Sequence, residues 1–163
     1  MARNVFFSFH FDNDHWRAQQ VRNIGAIDSQ TIARPNEWEE LRRKGDMAIA
    51  RWIEEQMYGK SSVVVLVGSQ TSDRPWIHYE IKRALELGKA LLGVRIHELK
   101  DQSGNTSMYG GNPFDRHLYG SKILSSLAQL HWPSGSDSKQ VYASIRDNLE
   151  DWIEAAVDAR RYW

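Results

Sequence analysis

Apolar and polar positions alternate over Asn4–Phe11, NVFFSFHF, with Val5, Phe7, Phe9 and Phe11 on one side and Phe6, Ser8 and His10 on the other. A period of two in residues that favour extended backbone predicts a strand, buried on both faces because each side carries phenylalanine. The following DNDHWRAQQVRNIG reads as a helix, with Asp12 or Asp14 as its N-cap and Gly25 as its stop. Ala26–Ile32 is a weak second strand. Arg34–Lys44, RPNEWEELRRK, is largely polar and reads as a loop, with or without a short helical turn. Asp46 then caps MAIARWIEEQMYG, where Ile49, Ala50, Ile53 and Met57 share one face and Gly59 ends the helix.

Ser62–Val67, SVVVLV, is a near-continuous β-branched run, the pattern of a strand covered on both faces in a parallel sheet. In TSDRPWIHYEIKRALELG, Pro75 suits a first helical position, Gly88 suits the stop, and Ile77, Ile81, Ala84 and Leu85 form one arc. Ala90–His97, ALLGVRIH, predicts another strand. Residues 101–122 are rich in Gly, Asn, Ser and Asp and predict loops. Ile123–Trp132 reads as a short helix and a last strand, and Ser138–Val157 as an amphipathic helix bearing Val141, Ile145, Leu149, Trp152, Ile153 and Ala156. Strands alternating with helices argue for an α/β fold with a parallel sheet and helices on both faces. In a 2-1-3-4-5 strand order the ligand crevice opens where the order reverses, between strands one and three at their carboxyl ends. That places Phe9–Asp12 beside Gly68–Thr71.

Length, 163 residues, fits one domain spanning 1–163. Cysteine is absent, which excludes disulfides and thiolate chemistry and suits a reducing cytoplasm. Lys plus Arg and Asp plus Glu balance at 21 each, so no basic footprint points to nucleic acid. The longest apolar run, Val63–Val67, is far short of the roughly 20 residues a bilayer demands, and the N-terminus lacks a secretory pattern, so no membrane partner is expected. The histidines show neither H-x-x-x-H nor H-E-x-x-H spacing, and no glycine-rich phosphate fingerprint occurs. A catalytic metal and a retained dinucleotide cofactor are therefore not expected.

Trp76 and Glu80 lie four residues apart near the start of the third predicted helix, on the margin of its apolar arc. An acid in the first turns of a helix offsets its dipole, and a tryptophan beside it packs. The pair also has a chemical use: a carboxylate held by an aromatic wall faces a cation developing on a bound sugar or base. Both uses are open on these residues alone.

RNVFFSFHFDND, the block from GDMAIARWIEEQ through ALLGVRIHELKD, and the later GGNPFD occur in an order that resembles a TIR domain, and more narrowly the TIR-like ThsB branch of the Thoeris anti-phage systems. The resemblance covers about the first two-thirds of the chain, with residues 1–100 as the matching core and 101–163 as a variable loop region plus C-terminal helix. It implies a flavodoxin-like TIR fold with about five parallel strands. It also implies cleavage of the nicotinamide–ribose bond of NAD as substrate, and a cyclic ADP-ribose-type product that activates the effector ThsA on phage infection. A homo-oligomer in the active state and a phage-derived trigger go with that reading. Carried over residue by residue, Glu80 is the catalytic carboxylate, acting electrostatically or as a nucleophile at C1′. Trp76, Phe9, His10, Asp12, Ser69 and, in the variable loop after strand two, Trp38 are expected to bind substrate.

Two other classes compete. A non-catalytic TIR-like module would signal by assembly and use Glu80 only as a helix-start acid. A receiver-like phosphoacceptor wants an aspartate at the end of strand three, where this chain has Gly68 and Ser69.

Overall fold

The computed structural model describes residues 3–24, 28–29 and 35–163. β1 (Asn4–Ser8) leads into α1 (Phe11–Arg22); β2 (Asp28–Ser29), α2 (Pro35–Lys44) and α3 (Asp46–Met57) follow. β3 (Ser62–Val67), α4 (Pro75–Glu86) and β4 (Ala90–Arg95) complete the regular half. Beyond them lie a small antiparallel pair, β5 (Leu118–Tyr119) and β6 (Lys122–Ile123), then β7 (Leu130–His131) and the long α5 (Ser138–Arg160).

The main sheet runs β2-β1-β3-β4-β7 with every pairing parallel. Its order reverses between β1 and β3, as in the 2-1-3-4-5 arrangement. Strand parity sorts the core. Val5, Phe7, Val64, Leu66, Leu92 and Val94 face α1 and α5, where they meet Ala18, Val21, Ile145 and Leu149. Phe6, Val63, Val65, Val67 and Leu91 face α3 and α4, where they meet Ile49, Ile53, Ile77 and Ile81. All six residues of β3 are buried, because helices cover both faces of the central strand.

Several boundaries differ from the sequence reading. β1 ends at Ser8, and Phe11 begins α1 instead of ending the strand. Phe11 stacks on His15 and on Trp38 of α2, and those tertiary contacts outweigh the β propensity of Phe9–Phe11. Neither Asp12 nor Asp14 caps α1: His10 occupies the N-cap position, with no side-chain cap bond. Arg34–Lys44 contains a full helix over Pro35–Lys44, with Trp38 and Leu41 packed on the α3/α4 side of the core. Gly45, at φ 96°, holds the cap position of α3, and Asp46 is the first helical residue. Strand four stops at Arg95, and α5 runs to Arg160. Of the weak strand over 26–32, Asp28 and Ser29 pair with Asn4 and Val5, and the rest lies outside the described residues, as does Gly25. The 101–122 stretch holds a short turn of helix at Pro113–Arg116 besides its loops and the first strand of the small pair. Among the described residues no helix is long and apolar enough to cross a membrane.

Candidate active site

α4 starts as its sequence dictates. Pro75 is its first residue, Gly88 at φ 72° follows its end, and Ile77, Ile81 and Ala84 anchor it on the sheet. One turn in from the start, Glu80 is carried onto the margin of that apolar face, directly beside the carboxyl end of β1. Its carboxyl is buried, with 7% of the residue exposed, and Ser8 Oγ lies 2.8 Å from Glu80 Oε1. Among the described residues this is the carboxyl's one hydrogen bond. Burial pushes the Glu80 pKa up from 4.5 to about 8, against the smaller downward pull of the Ser8 hydroxyl.

Glu80 lies on the wall of a cleft of about 240 Å³, open to solvent. Aromatic faces surround it: Phe9, Phe11, Trp38, Trp52 and Trp76 all line the space. Phe11 and Trp38 stack with centroids 5.2 Å apart, Trp52 meets Trp38 edge-on, and Trp76 is braced by Tyr79. Two guanidinium groups also line the cleft, Arg42 from α2 and Arg74 from the turn before α4. Arg42 pairs with Asp12 and lies over the Trp38 ring, 5.6 Å from its centroid. Arg74 Nη2 donates to Gln70 Oε1 at 2.6 Å.

Polar atoms in this cleft are under-satisfied. His10 Nδ1, Trp38 Nε1 and Arg74 Nε are each buried with no hydrogen-bond partner among the described residues. Buried polar atoms are almost always paired in folded proteins; these three are exceptions, as are Asp14 Oδ2 and His97 Nδ1 away from the cleft. Burial, reinforced by Arg74, lowers the His10 pKa while Asp12 opposes the shift, so the ring is neutral near pH 7. The ensemble offers flat apolar faces for rings, cations for an anion and a buried carboxyl for a cation.

Of the residues named from the sequence, Glu80, Trp76, Phe9, His10, Asp12 and Trp38 share this one cleft. Ser69 does not line it, and the expected apposition of Phe9–Asp12 with Gly68–Thr71 is not where the space opens. A Cβ at Gly68 would strike the Asp14 carboxylate, and one at Gly110 would sit 2.6 Å from the carbonyls of Gly68 and Ser69. Asp14 and the Gly110 loop therefore fill the gap directly over β1 and β3. Ser69 Oγ instead lies 3.5 Å from Asn13 Nδ2. The open space is displaced toward α2, α3 and α4. Sequence reasoning missed Ser8, Arg42, Arg74 and Trp52. For Ser8 the signal existed: strand parity puts it with Phe6, on the side that α4 covers.

A parallel β2-β1-β3-β4-β7 sheet with a cleft at its carboxyl edge, holding a W-x-x-x-E pair from the helix after β3, defines a flavodoxin-like TIR fold. Residues 6–101 match the family described as "Thoeris protein ThsB, TIR-like domain", and the chain belongs to that family. A protein of Bacillus cereus (strain MSX-D12) named "Putative cyclic ADP-D-ribose synthase ThsB1" is 32% identical over 148 residues, covering 83% of this chain and 73% of the relative.

Proposed function

We propose that this chain cleaves the nicotinamide–ribose bond of NAD and closes the remainder into a cyclic ADP-ribose-type signal within a Thoeris defence system. The observation that carries the reading is Glu80: a buried carboxyl with no cationic partner among the described residues, on the wall of an aromatic cleft. The name of the Bacillus cereus relative, a cyclic ADP-D-ribose synthase, supports the same chemistry.

Arg42 and Arg74, which line the cleft beside its aromatic faces, are the cations for the diphosphate. Trp76 and the Phe9–Phe11–Trp38 wall hold the ring systems by stacking. The pyridinium charge of the substrate beside Glu80 favours the ionised carboxyl, offsetting the burial that keeps it neutral in the free protein. As the C1′–N bond breaks, its electron pair leaves with nicotinamide, whose charge is thereby neutralised. Positive charge then passes to the ribose, as in glycoside cleavage, where the fixed carboxylate stabilises it. A nucleophile from the ADP half donates a pair to C1′ and closes the ring, and the proton released goes to solvent. The product then acts as the diffusible signal for the effector ThsA.

Mass spectrometry of the small molecules formed from NAD tests this reading. The protein in extract from phage-infected cells should give nicotinamide and a product with the mass of cyclic ADP-ribose, and Glu80→Gln should give neither. Intact NAD under those conditions would favour a non-catalytic module that signals by assembly.

A further inference from the structure

Ser8 is fully buried in an otherwise aromatic strand end, Phe6-Phe7-Ser8-Phe9, and its backbone is fixed opposite Val65 in the parallel ladder with β3. A buried hydroxyl is costly unless it is bonded. Its side-chain partner is Glu80, 2.8 Å away, and among the described residues the Glu80 carboxyl has no other hydrogen-bond partner. Each group thus answers the other across the joint between the sheet and α4.

We propose that Ser8 is a positioning residue for Glu80: from the rigid end of β1 its hydroxyl holds Oε1 and leaves Oε2 to face whatever enters the cleft. The chemistry of a hydroxyl suits the task. Ser8 Oγ donates to the carboxylate in a charge-assisted bond and, after a rotation about Cβ–Oγ, accepts more weakly from the neutral acid, so the contact favours the ionised form. A lysine or arginine in its place would fix the carboxylate permanently ionised and neutralise the charge that a cationic ligand is meant to meet. An alanine would leave the carboxyl unanchored and, with no donor to favour its ionised form, harder to ionise. The activity arm of this inference rests on the reading of Glu80 as the reacting carboxyl; the titration arm does not.

The experiment is a carboxyl-carbon NMR titration of the full chain carrying ¹³C-labelled glutamate, with the Glu80 signal assigned by its loss in Glu80→Gln. Ser8→Ala should move the Glu80 midpoint to higher pH by about one unit, the scale of one lost hydrogen bond to the charged form. Ser8→Thr, which keeps the hydroxyl, should titrate with the wild type. Ser8→Cys, close in shape but a weaker donor, should fall between them and serves if the alanine variant does not fold. In parallel, nicotinamide release by Ser8→Ala should lose about tenfold in kcat near pH 7, with its acid limb displaced by the same interval and KM nearly unchanged. An unchanged Glu80 midpoint in folded Ser8→Ala or Ser8→Cys overturns the proposal. A midpoint that moves while no form of the protein, wild type included, releases nicotinamide sinks the assigned reaction and leaves the coupling of Ser8 to Glu80 standing.

Discussion

Two buried carboxyls stand at the same sheet edge, one on each face, and they are treated in opposite ways. Asp14, on the α1 side, is fully buried, and Arg17 Nη1 lies 2.9 Å from its Oδ1. Arg17 in turn donates to the carbonyls of Leu99 and Asn105, so the acid, the helix and the 99–105 loop form one tied unit. Gly68 leaves the room that this carboxylate occupies. Burial raises the Asp14 pKa, and Arg17 works against the rise. Glu80, on the α3/α4 side, meets among the described residues a hydroxyl and an open cleft, and burial lifts its pKa to about 8. Burial of the two is similar. Pairing separates a carboxyl spent on holding the fold from one left free to meet a ligand, and perturbed titration beside a cleft is a mark of functional sites.

The contrast can be broken by exchanging the roles. Arg17→Met leaves Asp14 buried without its cation and should cost about 3–5 kcal/mol, the scale for breaking a buried pair from one side; chemical denaturation reads the loss. A variant as stable as the wild type would show that the α1 side is not the structural one.

Glu80→Gln should act in the reverse sense and stabilise. Because the folded protein binds the Glu80 proton more tightly than the unfolded chain does, the stability attached to the neutral acid is whole below about 4.5 and is lost as pH rises through about 8. The uncharged variant escapes that loss. Its advantage in unfolding free energy should be negligible near pH 4.5 and grow to at most about 5 kcal/mol above pH 8. A constant difference across the range would mean that the acid is not held neutral by its surroundings.

At the cleft rim the effects shrink. Arg42→Gln should raise KM for NAD about tenfold, the worth of one charge-assisted contact of roughly 1.4 kcal/mol, with kcat little changed. Asp12→Asn, which breaks the half-exposed pair with Arg42, should change stability by less than about 1 kcal/mol. A larger loss there would move the rim into the structural class with Asp14.

The parts of this arrangement differ in how far the sequence discloses them, and the reason is locality. α4 is legible because Pro75, Gly88 and the Ile77–Ile81–Ala84 arc are all local signals, and the i, i+4 spacing of Trp76 and Glu80 follows from them. The parallel sheet with helices on both faces follows from alternating strands and helices. Trp38 lines the cleft, but its helix was hidden: Pro35–Lys44 is polar except for Trp38 and Leu41, whose partners lie on other elements. The end of β1 was misjudged for the same cause, since Phe9 and Phe11 favour strand locally and only stacking against Trp38 turns Phe11 into a helix start. Arg42 and Arg74 carry no local mark that separates them from any surface arginine. The displacement of the cleft away from Gly68 and Ser69 depends on Asp14 and on Gly110, 42 residues downstream of Gly68, which no spacing rule connects. Two-residue strands such as Leu130–His131 exist only because β4 offers an edge to pair with.

The most direct test is the rate of nicotinamide release from NAD by the triggered protein at pH 8, read side by side for the wild type and Glu80→Gln. Electrostatic stabilisation by a fixed charge is worth about 10²–10³ in rate, so the variant should fall by at least about that factor while remaining folded. Release at the wild-type rate from folded Glu80→Gln would contradict the assignment of the unpaired carboxyl as the reacting group.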